Sequence, residues 1–222
     1  MSRDADLTRI LDCGIVAVVR APEPDGLVEV VRALADGGVT VAEVTFTVPG
    51  AIDVIRDARR QLGARVLLGA GTVLDPETAR TALLAGVEFI VAPTVNADVI
   101  RLCRRYGKVV MPGAFTPTEI LAAWEAGADV VKVFPADVLG PAFFRALRGP
   151  LPQVRLMPTG GVDLTTAAEF LNAGAVCLGV GSQLVDPKAV AARQFDKIAD
   201  LARQFIDAQV LGITGMDDGQ RA

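Results

Sequence analysis

The sequence predicts an α/β protein: a single (β/α)8 TIM barrel with a short N-terminal helix. Three observations support this prediction. Eight short apolar segments recur about every 20–26 residues, helical patterns lie between them, and glycines follow several of the helices. Most of the apolar segments are continuous rather than alternating, as expected for parallel strands that are covered on both faces. One barrel accounts for a chain of this length without a second domain.

The predicted strands and helices alternate along the whole chain. Strands are expected at residues 15–19, 41–46, 66–68, 89–92, 109–111, 130–134, 154–157 and 177–180. Helices are expected at residues 27–35, 51–62, 76–85, 119–126 and 165–173, and the N-terminal helix includes residues 9–12. The single domain therefore spans residues 1–222, with the barrel core at about 15–210 and a tail at 212–222.

Glycines mark the ends of four predicted helices, at Gly38, Gly86, Gly127 and Gly174. Each is followed within a few residues by an apolar strand, and glycine readily adopts the left-handed conformation that ends a helix. The alternative fold is an open doubly wound sheet. That fold usually carries a glycine-rich turn after its first strand, whereas residues 21–24 here read Ala-Pro-Glu-Pro.

Composition excludes several classes of function. The chain contains no histidine, so it has neither a Ser–His or Cys–His nucleophile pair nor a histidine-bearing metal site. Its net charge is −4 and it has no long basic segment, which argues against nucleic-acid binding. No apolar segment reaches about 18 residues, so no membrane span is expected. Three widely spaced cysteines indicate reduced thiols in the cytoplasm.

Lys132 is the strongest candidate for a catalytic residue, because it is the only one of the four lysines that lies inside a predicted buried strand. Burial of a charged lysine is costly unless the lysine is paired or neutral. One interpretation is a structural Lys–Glu pair. The functional interpretation is a lysine with a lowered pKa whose amine attacks a carbonyl carbon.

A second group of polar side chains lies on the predicted strand at 41–46. Alternation places Glu43, Thr45 and Thr47 on one face of this strand. Glu43 is either a general base in a partly dry pocket or a carboxylate that only neutralises the charge of Arg20 or Lys132. Arg20, at the end of the first strand, is expected either to bind a substrate anion or to pair with Glu43.

Small residues follow three of the strands. After the third strand, Thr72 ends the segment Gly69-Ala-Gly-Thr. A larger residue, Phe134, follows the lysine strand and is expected to form a wall of the pocket. Thr159, Gly160 and Gly161 follow the seventh strand, and Gly181 and Ser182 follow the eighth. Loops at these two positions of a barrel often hold a phosphate through backbone amides, although two ordinary tight turns would look the same.

Five segments together resemble the 2-keto-3-deoxy-6-phosphogluconate (KDPG) aldolase family, which also includes 4-hydroxy-2-oxoglutarate aldolases. They are Glu-Val-Thr-Phe-Thr-Val-Pro from 43, Gly-Ala-Gly-Thr-Val-Leu from 69, Val-Lys-Val-Phe-Pro-Ala from 131, Pro-Thr-Gly-Gly-Val from 158 and Gly-Val-Gly-Ser from 179. The resemblance runs from about residue 15 to 185. It implies a class I aldolase that is a homotrimer and uses no metal or organic cofactor.

The resemblance also implies roles for individual residues. Lys132 matches the Schiff-base lysine of the family, Glu43 its proton-transferring glutamate, and Thr72 a contact to the pyruvate carboxylate. Gly160, Gly161, Gly181 and Ser182 match its phosphate-binding loops. Many members have an arginine at the position of Thr47, and in its absence Arg20 is expected to supply the positive charge.

Other functions remain open from the sequence. The substrate is expected to be KDPG, its galactonate epimer or 4-hydroxy-2-oxoglutarate, with no nucleic-acid or membrane partner. A phosphosugar isomerase is a second enzymatic possibility. A barrel whose surface serves as an assembly subunit is a non-enzymatic one.

Overall fold

The computed structural model describes residues 2–214 of the chain, and their side chains through residue 209. Within this range, parallel strands alternate with helices. The strands are β1 (Ile15–Val19), β2 (Val41–Thr45), β3 (Leu67–Gly71), β4 (Phe89–Val91), β5 (Val109–Met111), β6 (Gly113–Ala114), β7 (Val131–Val133), β8 (Leu156–Pro158) and β9 (Leu178–Val180).

The helices lie between the strands, as the sequence predicts. They are α1 (Arg3–Cys13), α2 (Leu27–Asp36), α3 (Ala51–Leu62), α4 (Pro76–Ala85), α5 (Ala97–Arg105), α6 (Pro117–Glu125), α7 (Ala136–Arg148), α8 (Ala167–Asn172), α9 (Pro187–Ala191) and α10 (Phe195–Thr214). A 3-10 turn (Gly63–Arg65) precedes β3. The predicted tail begins within the last turn of α10, and its residues 215–222 lie outside the described part of the chain.

The strands form two hydrogen-bonded parallel sheets. One has six strands in the order β5-β4-β3-β2-β1-β9, and the other has three in the order β6-β7-β8. The sequence predicts a strand at residues 109–111, where β5 lies, and does not predict β6. Pro112 separates them, because proline has no N–H to donate to a ladder. β5 pairs with β4, whereas β6 pairs with β7. The α/β class is thus confirmed with two parallel sheets rather than one continuous ladder.

Glycines end helices where the sequence predicts them. Gly38, Gly86, Gly127 and Gly174 have φ angles of 96°, 100°, 103° and 100°, all in the left-handed region. The residue after each glycine donates its N–H to a carbonyl five positions earlier, as in the Ala128-to-Ala123 bond of 3.1 Å. This bond is typical of a Schellman motif and returns the chain toward the next strand.

Alternation along the strands separates two apolar clusters. The outer cluster packs the helices against the sheets and includes Val131 and Val133 of β7. The inner cluster collects side chains from the opposite strand faces and closes against Ile10 of α1. Its other members are Val16, Val41, Leu67, Phe89, Val91, Val109, Met111, Val130, Met157 and Cys177. Residues two positions further along these inner faces, such as Glu43 and Lys132, therefore lie on the same side of the sheets, toward the strand ends.

The N-terminal helix is tied to the strands by a buried carboxylate that the sequence did not single out. Asp129, 3% exposed, accepts a bond of 3.0 Å from Nε of Arg3 on α1. Its other oxygen accepts a bond of 2.9 Å from the N–H of Val110 in β5. α1 therefore covers the inner cluster at the end opposite the polar strand ends.

Candidate functional site

Lys132 is buried in the middle of β7, opposite the two valines that pack outward. Its exposed fraction is 6%, and its Nζ lies 5.1 Å from the centre of the Phe134 ring. Among the described residues no carboxylate oxygen lies within 4.0 Å of this nitrogen, so the structural Lys–Glu pair does not form. Burial lowers the pKa of Lys132, Glu43 partly offsets that effect, and Arg20 adds to it. A lowered pKa increases the fraction of neutral amine, which is the nucleophilic form.

Glu43 is buried on the inner face of β2, at 1% exposed. Burial raises the pKa of its carboxyl group, and the positive charges of Lys132 and Arg20 act in the opposite direction. Oε2 of Glu43 is a buried oxygen with no hydrogen-bond partner in the described part of the chain. A carboxyl group with a raised pKa near two cations is suited to accept and return a proton.

Arg20 follows β1 and is exposed. It forms no ion pair with Glu43 within 4.0 Å, nor with any other carboxylate of the described residues. Its guanidinium group is therefore available for a ligand anion, which favours the first of the two expectations for this residue.

Thr45 and Thr47 share the face predicted from strand alternation. Their hydroxyl oxygens lie 2.8 Å apart and are hydrogen-bonded. Thr45 is fully buried, whereas Thr47 lies beyond the end of β2 and reaches a cavity. The predicted grouping of these two side chains is therefore confirmed.

The predicted residues surround one cavity of about 570 Å³ at the carboxyl ends of the strands. Every predicted site residue except Glu43 lines it. These residues are Arg20, Thr47, Thr72, Lys132, Phe134, Thr159, Gly160, Gly161, Gly181 and Ser182. Sequence reasoning missed six further lining residues: Val18, Pro93, Val162, Gln183, Val185 and Pro187. Gln183 is the one polar residue among these six. Its position directly after Ser182 is the signal that could have identified it.

The two glycine-containing loops form one side of this cavity. Gly160 and Gly161 have φ angles of 94° and 70°, which favour glycine. A side chain at Gly161 would lie 2.4 Å from Cβ of Asp137, whereas the space beside Gly181 is open. The backbone N–H groups of Gly161, Val162, Ser182 and Gln183 donate to no other group in the described chain. These donors suit an anion such as a phosphate.

Thr159 and Thr72 add two hydroxyl groups to the cavity. Thr159 is 6% exposed, and its Oγ1 is buried without a partner in the described part of the chain. Gly179 of β9 leaves the space for it, because a Cβ there would lie 2.1 Å from this oxygen. Thr72 follows β3 with a φ of 58°, an uncommon conformation for a β-branched residue. Such backbone strain is often found at ligand sites.

The lining of the cavity carries two cations, Arg20 and Lys132, and no carboxylate. Residues 2–214 contain no group of three Cys, Asp or Glu side chains placed to hold a metal ion. Within the same range, no helix is both long and apolar enough to cross a bilayer. The arrangement favours a small organic anion with a carbonyl group that the amine of Lys132 attacks.

Comparison with known proteins identifies relatives over most of the chain. Residues 8–201 match the family model described as "KDPG and KHG aldolase". A 2-dehydro-3-deoxy-phosphogluconate aldolase of Treponema pallidum is 40% identical over 200 residues, covering 90% of this chain and 94% of that protein. A 2-dehydro-3-deoxy-6-phosphogalactonate aldolase of Escherichia coli is 34% identical over 198 residues, covering 87% and 93%.

A solved structure with bound pyruvate is also similar. It is a KDPG aldolase from Legionella pneumophila with pyruvate captured as a covalent carbinolamine intermediate. The two structures align with a TM-score of 0.83 at 26% identity, covering 89% of this chain and 96% of that one.

Proposed function

The chain belongs to the KDPG and KHG aldolase family, a family of carbon–carbon lyases, and we propose that it cleaves KDPG to pyruvate and glyceraldehyde 3-phosphate. One observation carries this proposal: a buried lysine without a carboxylate partner faces a cavity that is also lined by backbone anion donors. The carbinolamine formed by the Legionella pneumophila relative supports the same chemistry at Lys132.

Lys132 is the nucleophile in the proposed reaction. Its neutral amine adds to the C2 ketone of the substrate, and loss of water leaves an iminium ion. The iminium accepts the electron pair of the C3–C4 bond as that bond breaks, which leaves an enamine on the lysine. Protonation of the enamine at C3 and hydrolysis then release pyruvate and the free amine.

Glu43 transfers the protons of this reaction, directly or through a water molecule. Its carboxylate takes the proton of the C4 hydroxyl group as the C3–C4 bond breaks, so that the aldehyde product leaves. Its position on the inner face of β2 and its buried carboxyl group support this role. General acid–base assistance of this kind is typically worth about 10²–10⁴-fold in rate.

The remaining cavity residues bind the two ends of the substrate. Gly160, Gly161, Gly181 and Ser182 hold the phosphate, a role supported by the free backbone N–H groups of Gly161 and Ser182. Arg20 and Thr72 bind the carboxylate end, while Phe134, Thr47 and Thr159 complete the walls. Arg20 replaces the arginine that many family members have at the position of Thr47.

The galactonate epimer of KDPG and 4-hydroxy-2-oxoglutarate are the second candidate substrates. The 34%-identical relative named for the galactonate substrate favours the first of these. Cleavage rates on the three substrates, measured side by side, decide between them. A rate on KDPG at least tenfold above the other two is the expected result.

Several features of the whole molecule belong to the same proposal. Two isolated bridges, Leu156–Ala175 and Thr159–Gly179, connect the segments of β8 and β9, and Pro112 alone separates β5 from β6, which supports closure of the strands into a (β/α)8 barrel. We further propose a cytoplasmic homotrimer that needs no metal or organic cofactor and binds neither nucleic acid nor membrane. Its three cysteines are free thiols, in keeping with that location.

Trapping with borohydride tests the central step. Incubation with pyruvate and borohydride should add one reduced pyruvate to the protein, located on Lys132 by peptide mass spectrometry. Lys132→Met should abolish both the adduct and cleavage, whereas Lys188→Met, on the exposed surface of α9, should change neither. A pyruvate adduct that survives in Lys132→Met contradicts the assignment. An isomerase without imine chemistry forms no adduct in the first place.

A further inference from the structure

The carboxyl group of Glu43 occupies the space where a side chain at Gly71 would begin. A Cβ at Gly71 would lie 2.7 Å from both Cδ and Oε1 of Glu43, and 3.1 Å from Oε2. Real Cβ atoms essentially never approach another heavy atom closer than 3.0 Å. Glu43 therefore crosses from β2 over the bare backbone of β3.

This space matters because the described part of the chain provides no hydrogen bond to the carboxyl group of Glu43. Oε2 is buried without a partner, and only 1% of the residue is exposed. Lys132 and Arg20 affect the carboxyl group through their charges without forming an ion pair within 4.0 Å. Packing against the backbone of Gly71 is consequently a direct contact that limits where the carboxyl group lies.

Gly71 itself cannot retreat to make room for a side chain. It is paired with Thr45 in the parallel register of β2 and β3, and its carbonyl oxygen accepts a bond of 2.8 Å from the N–H of Phe46. Its φ angle is not among the positive values, so an alanine is compatible with the backbone there. An added methyl group would therefore displace the carboxyl group of Glu43 rather than the strand.

We propose that Gly71 is a positioning residue for the aldolase reaction, whose missing side chain sets where the carboxyl group of Glu43 lies relative to Lys132. This inference rests on the proposed roles of Glu43 and Lys132. Gly71 has no contact with substrate in this proposal and acts only through Glu43. Misplacement of a catalytic group by about 1 Å can cost about 10²-fold in rate.

A double-mutant cycle tests the proposal with four proteins: wild type, Gly71→Ala, Glu43→Asp and the double variant. Gly71→Ala should lower kcat for cleavage about 10²-fold while borohydride still traps pyruvate on Lys132. Aspartate is shorter by one methylene group, so its carboxyl group is expected to lie further back from the new methyl group. In the Glu43→Asp background the same substitution should therefore change kcat by about twofold or less. The control Gly149→Ala, at an exposed position with its nearest neighbour at 3.8 Å, should leave kcat unchanged.

Equal losses of kcat in both backgrounds, or no loss in either, overturn the proposal. Thermal unfolding of the four proteins tests the clash without an activity assay. Gly71→Ala should lower Tm more when residue 43 is glutamate than when it is aspartate. If Gly71→Ala fails to fold, recovery of folded protein in the double variant supports the clash, and failure of both contradicts it. If the wild type neither traps pyruvate nor cleaves substrate, the proposed function fails while the Tm comparison still decides the steric inference.

Discussion

Lys132 and Glu43 are ionisable residues whose burial lowers the stability of the folded protein. Burial lowers the pKa of the lysine and raises that of the glutamate, so both environments disfavour the charged form. Neither residue is compensated by an ion pair within 4.0 Å in the described chain. Such unpaired groups are typical of sites where reactivity is maintained at the expense of stability.

The pH dependence of stability follows from the lowered pKa of Lys132. At a pH below its folded pKa, both the folded and unfolded states are protonated, and the fold bears the full cost of the buried charge. As pH rises toward the ordinary value of 10.5, the folded state loses its proton first and this cost declines. We expect Lys132→Met to raise Tm at pH 7 by about 2–4 °C, the shift that about 1 kcal/mol produces in a domain of this size.

Thermal unfolding between pH 7 and pH 10.5 checks this expectation. The gain from Lys132→Met should shrink steadily as pH rises. Lys188→Met, which removes an exposed charge, is the matched control. A gain that grows with pH, or a loss at pH 7, contradicts the assigned direction.

Glu43→Gln separates proton transfer from imine formation. The amide keeps the shape of the side chain but cannot accept the C4 proton, so we expect kcat/KM for cleavage to fall about 10²–10⁴-fold. Borohydride should still trap pyruvate on Lys132, as mass spectrometry of the intact protein would show. Glu125→Gln, on the exposed face of α6, should retain full activity. Unchanged cleavage by Glu43→Gln would mean that another group transfers the proton.

At the level of single elements, local sequence signals explain where most helices begin and end. The helix predicted at residues 119–126 begins at Pro117 in the structure, where Thr116 and Glu119 form a capping box. The side chain of Thr116 accepts from the N–H of Glu119, and the carboxylate of Glu119 accepts from the N–H of Thr116. These reciprocal bonds satisfy two donors that a helix N-terminus otherwise leaves free.

Removal of this cap provides a test at the level of the helix. Thr116→Ala should cost about 1 kcal/mol and lower Tm by about 2–4 °C, because the N–H of Glu119 loses its acceptor. Thermal unfolding measures the change, with Thr118→Ala, an exposed threonine in the first turn of α6, as the matched control. Equal Tm values for the two variants would show that the cap contributes nothing.

The strands were predicted with similar accuracy, and the one error has a simple cause. The apolar segments at β1 and β5 coincide with the observed strands, and those at the other predicted strands differ by a few residues at their ends. β6 was missed because Gly113–Ala114 is too short to show an apolar pattern. Its existence depends on pairing with the lysine strand β7, a contact between residues far apart in sequence.

At the level of the whole molecule, the predicted homotrimer is a separate property from the site. Light scattering of the full chain should give about three times the mass of 23.2 kDa. A particle of many subunits would favour the assembly-subunit alternative, and a monomer would contradict both. The measurement should be repeated across a tenfold range of protein concentration, because subunit association depends on concentration.

Much of the site was accessible from the sequence because chemistry-bearing residues stand out in apolar strands. Burial of a lysine in a valine-rich strand, or of a glutamate that alternates with threonines, lowers the stability of the fold. Such residues in a buried strand therefore indicate a functional site. Strand alternation then predicted which side chains share a face, as the Thr45–Thr47 hydrogen bond confirms. Gln183 and Pro93 were missed, since a loop residue carries no such signal until its loop is placed against the others.

The sequence by itself determined the alternation of strands and helices, the left-handed glycine ends and the identity of Lys132 and Glu43 as candidates. These features depend on local periodicity, backbone sterics and the cost of burying charge, all of which act between near neighbours in the chain. The tertiary structure alone decided that Arg20 forms no ion pair with Glu43 and that Gly71 leaves room for the carboxyl group. Both are distances between different strands, and such distances depend on how the strands pack rather than on the residues of any one of them.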